Sequence, residues 1–429
     1  MNRLLLLVLC IAGALPARAE SPPNIVMIIS DDHAWTDYGF MGHAQIKTPH
    51  LDKLASQSLT FRRGYVTSSL CCPSLATLLT GMYPHQHRIT SNDPPVSKAG
   101  VPGQPRLQSP EFIAGREKMN IFMDAAPGLA RMLGQHGYVS LQTGKWWQGN
   151  FKRGGFTEGM TLGQRHGDAG LDIGRKTMEP IYEFIGRAKK EAKPFFVWYA
   201  PLMPHDPHTP PARLLEKYKD KAPSLHVARY RAMVEWFDET CGQLMEHLDK
   251  QGLSENTIVV YVADNGWIQS EDKAAYAPRS KQSQYDGGLR TPIMLRWPAK
   301  VKARQPDALA SSVDIAPTLL RAAGIEPPKE MSGLNLLDDA AVAGRDTIFG
   351  GCFTHNAVDL DAPAKSLRWR WCIQKNLKLM IPGASEPDAP VELYDVIADP
   401  KELKNLAADR VQDVQRLRGK LDGWWSGAQ

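Results

Sequence analysis

No run that is both apolar and uncharged for long enough to span a membrane follows residue 20 of this 429-residue chain. Crossing a bilayer as a helix takes about 20 mostly apolar residues. The N-terminal apolar stretch, Leu4 to Leu15, is too short for that. It lies between Met1-Asn2-Arg3 and the small-x-small site Ala17-Arg18-Ala19. Residues 1–19 therefore read as a signal peptide, which predicts an exported protein, periplasmic or secreted, with no stable membrane anchor. Concentrated basic charge is missing too. The formal charge of +5 falls to about +3 once Arg3 and Arg18 leave with the signal, too mild to predict a nucleic-acid partner. Cysteine is scarce: after residue 19 only Cys71, Cys72, Cys241, Cys352 and Cys372 remain. An odd number in an exported chain leaves at least one thiol unpaired or chemically converted. Cys352 and Cys372 are the candidate disulfide pair. Internal repeats and low-complexity tracts are absent.

What remains is long enough for one large domain and a smaller one. Short apolar runs alternate with helical patterns, as in an α/β domain on a mostly parallel sheet. Four of the runs lead into polar residues: Asn24–Ile29 into Ser30-Asp31-Asp32, Tyr138–Leu141 into Thr143-Gly144-Lys145, Phe195–Tyr199 towards His205, and Thr257–Val262 into Asp264-Asn265-Gly266. Ligands of open α/β sheets bind beyond the carboxyl ends of strands, so these four ends predict one site. Asp93 to Gly115, rich in Pro, Gly and Ser, reads as a surface insertion. The character changes near residue 345. Thr347–Phe349 and Leu367–Leu379 read as antiparallel strands, the second mixing Arg368 and Arg370 with tryptophans, and Val411–Trp425 reads as an amphipathic helix. The expected division is 20–345 for the catalytic domain and 346–429 for a C-terminal subdomain.

Adjacent carboxylates such as Asp31 and Asp32 repel and are costly to bury unless a cation neutralises them. With Asp264 and Asn265 they make three acids and an amide oxygen, a donor set for calcium or magnesium. Either pair alone is equally well read as a loop or helix cap. In Leu70-Cys71-Cys72-Pro73-Ser74-Leu75, Pro73 suits a first helical turn, which puts Cys71 where a helix N-terminus favours an anion.

This stretch resembles the sulfatase signature C-x-P-S-R followed by a short helix and Thr-Gly. The resemblance extends over nearly the whole mature chain: Asn24–Asp32, Thr48-Pro49-His50-Leu51-Asp52, Thr143-Gly144-Lys145-Trp146, Ala263–Gly266, Lys281 with Tyr285-Asp286-Gly287-Gly288, Asp314–Leu319, and Leu393-Tyr394-Asp395 through Ala407. It implies an alkaline-phosphatase-like α/β fold, a large mixed sheet flanked by helices, with a smaller C-terminal α+β domain. It also implies sulfate ester hydrolysis on a sulfated carbohydrate, with Cys71 converted to formylglycine by a formylglycine-generating or anaerobic sulfatase-maturing enzyme. Asp31, Asp32, Cys71, Asp264 and Asn265 would hold one Ca2+. Lys145 and Lys281 would clamp the sulfate, and His205 would protonate the leaving alcohol, with His208 of His208-Thr209-Pro210 the competing histidine. His85 and His87 read as loop residues.

The chain departs from the pattern twice. Leu75 stands where the signature has arginine, and Trp147 where G-K-W-H has histidine. Trp donates one hydrogen bond and is neither acid nor base. Arg165 and His166, in Gly163–Asp168, are the candidate replacements as substrate-binding groups. Two other readings follow: a phosphodiester or phosphonate hydrolase on the same scaffold, and a non-catalytic glycan-binding protein.

Overall fold

The computed structural model describes residues 21–95 and 106–427; the signal peptide read at residues 1–19 lies outside them. An eight-stranded sheet organises most of the chain. Its strands are β1 (Asn24–Ser30), β2 (Leu59–Tyr65), β3 (Val139–Gly144), β4 (Glu158–Gly159), β5 (Phe195–Ala200), β6 (Thr257–Ala263), β7 (Arg290–Arg296) and β8 (Leu309–Ser311). The spatial order is β4-β3-β5-β1-β6-β7-β2-β8. Strand β7 runs antiparallel to both neighbours, β6 and β2, and the other pairings are parallel, so the sheet is mixed.

Central strands are apolar on both faces, as expected of strands covered by helices on each side. Along β1, Ile25, Met27 and Ile29 enter one core and Val26 and Ile28 the other. The period-2 alternation of the pleat separates them. Helices Cys71–Thr80, Leu129–Gln135 and Ile315–Ala322 bury residues in the first core. Helices Pro49–Ser56, Glu179–Lys190 and Leu225–Lys250 bury theirs in the second.

A second sheet, in the order β12-β11-β10-β9, comprises β9 (Thr347–Phe353), β10 (Leu367–Gln374), β11 (Leu377–Pro382) and β12 (Glu392–Asp395), all antiparallel. The stretch Leu367–Leu379 is thus a hairpin rather than one strand, turning at Lys375, which has φ 52°. Helix Val411–Trp424 covers one face through Leu417 and Leu421, while Trp369, Trp371 and Ile373 on the other face join the first core of the large sheet.

That two-faced sheet also rules out the expected disulfide. Cys352 belongs to the core shared with the large sheet, Cys372 to the core under the terminal helix, and all five described cysteines are free. Opposite faces of a pleated sheet aim their Cβ atoms apart. Of the insertion read at 93–115, residues 96–105 lie outside the described residues, and its end needs correcting. Pro110–Ala125 is a helix with Pro at its start and Ser109 as its cap, the Ser109 hydroxyl accepting the Phe112 amide at 3.2 Å. Serine followed by proline is a helix-start signal as well as loop composition.

Candidate active site

Strands β3, β5, β1 and β6 are consecutive in the sheet and parallel, so their carboxyl ends lie side by side. Asp31 and Asp32 leave β1; Asp264 and Asn265 leave β6, in register with it. Gly144, at the end of β3, has φ 76°, and a Cβ there would fall 1.9 Å from the Ala200 carbonyl oxygen. Only glycine permits that turn, which is fixed by the Lys145 amide donating to Ala200 O at 2.7 Å. The chain beyond β5 is tied to the same place by the Asp31 amide, which donates to Met203 O at 2.9 Å and sets His205 beside the acids.

Donor atoms of Asp31, Asp32, Cys71 and His205 all lie within 4.8 Å of one another. Lys145 Nζ donates to Asp31 Oδ1 at 2.5 Å and lies 3.5 Å from Asp264 Oδ2. Lys281 Nζ donates to Asp32 Oδ2 at 2.7 Å, and His205 Nε2 is 3.4 Å from the same oxygen. Asp264 Oδ1 accepts the amides of Asp32 and Asn265, while Asn265 Nδ2 donates to Asp32 Oδ1 at 2.7 Å. Lys145 is 1 % exposed, so it is no surface lysine. Asp32 itself has φ 61°, a conformation uncommon outside glycine and found at sites where the surroundings impose it.

The charges do not close by themselves. Three buried carboxylates face two ammonium groups. Burial, opposed mainly by Lys145, raises the pKa of Asp31, and burial with the charge of Asp31 pushes Asp264 up to about 7. Burial also acts on Asp32, but Lys281, His205 and Lys145 outweigh it and hold that carboxyl well below the usual range. Asp31 Oδ2 and Asn265 Oδ1 are buried oxygens with no hydrogen-bond partner among the described residues. Surplus negative charge and two orphaned oxygens in an all-hard donor set fit a divalent cation.

Cys71 is the first residue of helix Cys71–Thr80, every residue of which is buried. The adjacent Cys72 is held elsewhere: its amide donates to Asn92 Oδ1 at 3.0 Å and its sulfur accepts from Gln148 Nε2 at 2.9 Å. Burial drives the Cys71 thiol far above its ordinary pKa, against the pull of Lys145 and Lys281, so as a thiol it stays protonated. Leu75 is 1 % exposed in the main core and brings no charge to this turn.

A cavity of about 250 Å³ opens onto Cys71. Trp147, Arg165, His166, His205, Trp267 and Lys281 are among the residues lining it. Arg165 pairs with the buried Asp93 at 3.0 Å, and its Nη1 donates to His166 Nε2 at 2.9 Å. A guanidinium only donates, so His166 keeps its proton on Nδ1. Burial, Lys145 and Arg165 hold its pKa far below normal. His208 is not in this wall; it packs against Tyr230 and Trp267. His85 stacks on Trp425 at 4.3 Å, and His87 is buried beneath Thr77. Arg368 pairs with Glu386 and donates to the carbonyl of Gln282, a residue of the cavity wall, at 2.8 Å, while Arg370 pairs with Asp422.

Several residues of the site carried no signal in the sequence. Asn92 and Gln148 matter only because the fold brings them to Cys72. Arg116, in the helix Pro110–Ala125, donates to Asn92 O at 2.8 Å and also to Trp147 O. His355 reaches the cavity from the loop that follows β9, its carbonyl accepting the Asn92 amide at 2.9 Å.

Comparison with known proteins agrees with this geometry. The Sulfatase family model matches residues 23–325, and that of the N-sulphoglucosamine sulphohydrolase C-terminal region matches residues 278–423. The chain is 27 % identical over 380 residues to N-acetylgalactosamine-6-sulfatase of Mus musculus, covering 78 % of this chain and 69 % of that protein. It is 25 % identical over 513 residues to N-acetylgalactosamine-6-O-sulfatase of Bacteroides thetaiotaomicron, covering 93 % and 92 %. Among solved structures, Ps i-CgsB in complex with k-i-k-neocarrahexaose shares the fold with a TM-score of 0.76 at 22 % identity, covering 95 % and 94 %. Phosphonate monoester hydrolase of Agrobacterium radiobacter does so at 0.71 and 19 %, covering 94 % and 95 %. With the strand-end acids, the helix-borne Cys71 and the two lysines in place, the match over most of its length shows that this chain belongs to the sulfatase family.

Proposed function

We propose that this protein hydrolyses sulfate esters carried by carbohydrates, with residue 71 as the nucleophilic position. The observation that carries this reading is the convergence of Asp31, Asp32, Cys71 and His205 within 4.8 Å, flanked by Lys145 and Lys281. A thiol held protonated by burial is a poor nucleophile, which favours conversion of Cys71. Formylglycine there supplies a hydrated-aldehyde oxygen as nucleophile, and a divalent cation, Ca2+ by family resemblance, supplies Lewis-acid polarisation of the sulfate oxygens. Asp31, Asp32, Asp264, Asn265 and residue 71 would hold that cation.

The remaining work falls to the chain's own side chains. Lys145 and Lys281 stay charged in the site, since the carboxylates outweigh the cost of burying them, and they stabilise negative charge on the sulfate. His205, at the cavity wall, is placed to hand a proton to the departing alcohol oxygen; burial, opposed by Asp32, pulls its pKa down to about 4, so it takes that role only once the bound substrate's charge favours its protonated form. His166, neutral and with its proton on Nδ1, is a hydrogen-bond donor to substrate, and Arg165 keeps it in that form. The N-acetylgalactosamine sulfatases among the relatives support a sulfated sugar as substrate. Export through the signal at residues 1–19, and conversion by a dedicated maturing enzyme, complete the reading. The described residues contain no helix long and apolar enough to cross a membrane.

Mass spectrometry across Cys71, on protein from its native host, joined to side-by-side turnover of aryl sulfate and aryl phosphonate esters, tests this. An aldehyde mass with preference for the sulfate is expected. An unmodified thiol in active protein would overturn the formylglycine route, and preference for the phosphonate would overturn the substrate class.

A further inference from the structure

Trp147 stands where the family pattern places a histidine, and the structure gives it an unfinished hydrogen bond. Its side chain is 2 % exposed and lines the cavity that reaches Cys71. Its indole Nε1 is buried and has no hydrogen-bond partner among the described residues. The neighbouring tryptophan differs: Trp146 Nε1 donates to Gln148 O at 3.1 Å. Trp297 and Trp371 also carry an unpartnered buried Nε1, but neither lines this cavity; at Trp147 the unsatisfied donor belongs to a residue of the cavity wall, where a ligand can complete it.

The ring is held from several sides. The Arg165 guanidinium lies 4.6 Å and that of Arg116 5.4 Å from the ring centroid, both over the ring. Arg116 also donates to the Trp147 backbone carbonyl. The His166 ring meets the indole edge-on at 4.4 Å between centroids. Such cation–π and edge contacts fix an aromatic ring in one orientation. Lys145 is only two residues away in the chain and already in the charged cluster, so the indole is anchored to the same segment as the sulfate clamp.

We infer that Trp147 is a catalytic residue whose indole N–H donates a hydrogen bond to a non-bridging oxygen of the bound sulfate group. The interaction transfers no proton. It adds a neutral donor to a site whose other donors are ammonium groups and histidines, and it stays a donor at every pH the protein survives. The oxyanion is its chemical class of ligand. The inference rests on the proposed ester hydrolysis only for the identity of that oxyanion.

The test uses the full-length protein and Trp147→Phe, which keeps an aromatic ring against the guanidiniums and removes the donor. With the indole nitrogens labelled with 15N, the resonance absent from W147F belongs to Trp147. Titration with inorganic sulfate is expected to move that resonance downfield, and W147F is expected to lose about 10- to 100-fold in kcat with an unchanged melting temperature. Trp147→His, which restores a ring donor, is expected to recover part of the loss. A resonance indifferent to sulfate, or W147F turning over like the parent, would overturn the inference. If W147F unfolds, the titration of the parent protein against W147H decides alone. A resonance that responds to inorganic phosphate in a protein inactive on sulfate esters would uphold the donor and overturn the sulfatase reading instead.

Discussion

Two buried ionic clusters, each gathered from distant parts of the sequence, differ in how completely their atoms are paired. At the strand ends, Asp31, Asp32 and Asp264 face Lys145 and Lys281, with orphaned oxygens on Asp31 and Asn265 and an orphaned indole on Trp147. At the seam between the two sheets, Lys378 on β11, fully buried, donates to Asp286 Oδ1 and Glu402 Oε1, both at 2.9 Å. There Asp286 Oδ2 accepts the Tyr65 hydroxyl, and Glu402 Oε2 accepts the Asp286 amide. None of those side-chain atoms is left without a partner. Burial, opposed by Lys378, pushes Glu402 up to about 7 without changing that accounting. A closed network specifies how two parts of a chain dock; an open one is incomplete until a ligand arrives. Burial and charge are alike in both; what separates the two clusters is that the strand-end carboxylate and amide oxygens, and not those of the seam, are left unpaired among the described residues.

Substitutions sharpen the contrast. Removing the nucleophilic position with Cys71→Ala should cost about four orders of magnitude or more in kcat on an aryl sulfate while leaving the melting temperature close to that of the parent. Lys145→Ala should lower kcat by about two to three orders of magnitude; steady-state kinetics with a matched circular-dichroism melt separates this from unfolding. The seam should behave in the opposite way. Lys378→Met strands two buried carboxylates and should destabilise the fold by about 3–5 kcal/mol, measured by urea unfolding, with kcat per folded molecule within about twofold. Neutralising the whole group with Lys378→Met, Asp286→Asn and Glu402→Gln should recover much of that loss. Activity loss without destabilisation in Lys378→Met would break the distinction.

The smallest effect concerns a single buried acid outside both clusters. Asp238 accepts the amides of His50 and Leu51 at 3.1 and 2.7 Å, and burial pushes its pKa up to about 7. The folded value lies above the unfolded one of 3.8. Its stabilising contribution is therefore full below about pH 4 and is lost as pH rises through about 7. Asp238→Asn keeps an acceptor and removes the titration. Because one of the two accepted amides loses its partner, the variant should melt below the parent at pH 4 and gain on it by a few degrees as the pH rises to 8. A gap constant with pH would show that the carboxyl does not titrate in this range.

The same contrast explains what was legible beforehand. Asp31-Asp32, Lys145, Asp264-Asn265 and Lys281 belong to short segments whose order along the chain is itself informative, and each strand announces its end by a shift from apolar to polar. The helix at Pro110 and the hairpin at Lys375 were hidden because loop composition and helix-start composition overlap, and because a two-residue turn interrupts an apolar pattern too briefly to register. The expected Cys352–Cys372 bridge failed for a related reason: spacing does not say which face of a sheet a side chain takes.

The sequence by itself determined that this chain has an α/β core with reactive residues at strand ends, a cysteine at a helix start, and the sulfatase family's motif order. Those properties are local, written in periods of a few residues and in motif spacing. Tertiary structure alone decided that Asn92, Arg116 and Gln148 hold the turn beside Cys71, that His355 in the loop after β9 reaches the cavity, and that the indole of Trp147 is left without a partner among the described residues. Each of these depends on atoms far apart in the chain meeting within hydrogen-bond distance, and a missing hydrogen bond exists only in three dimensions.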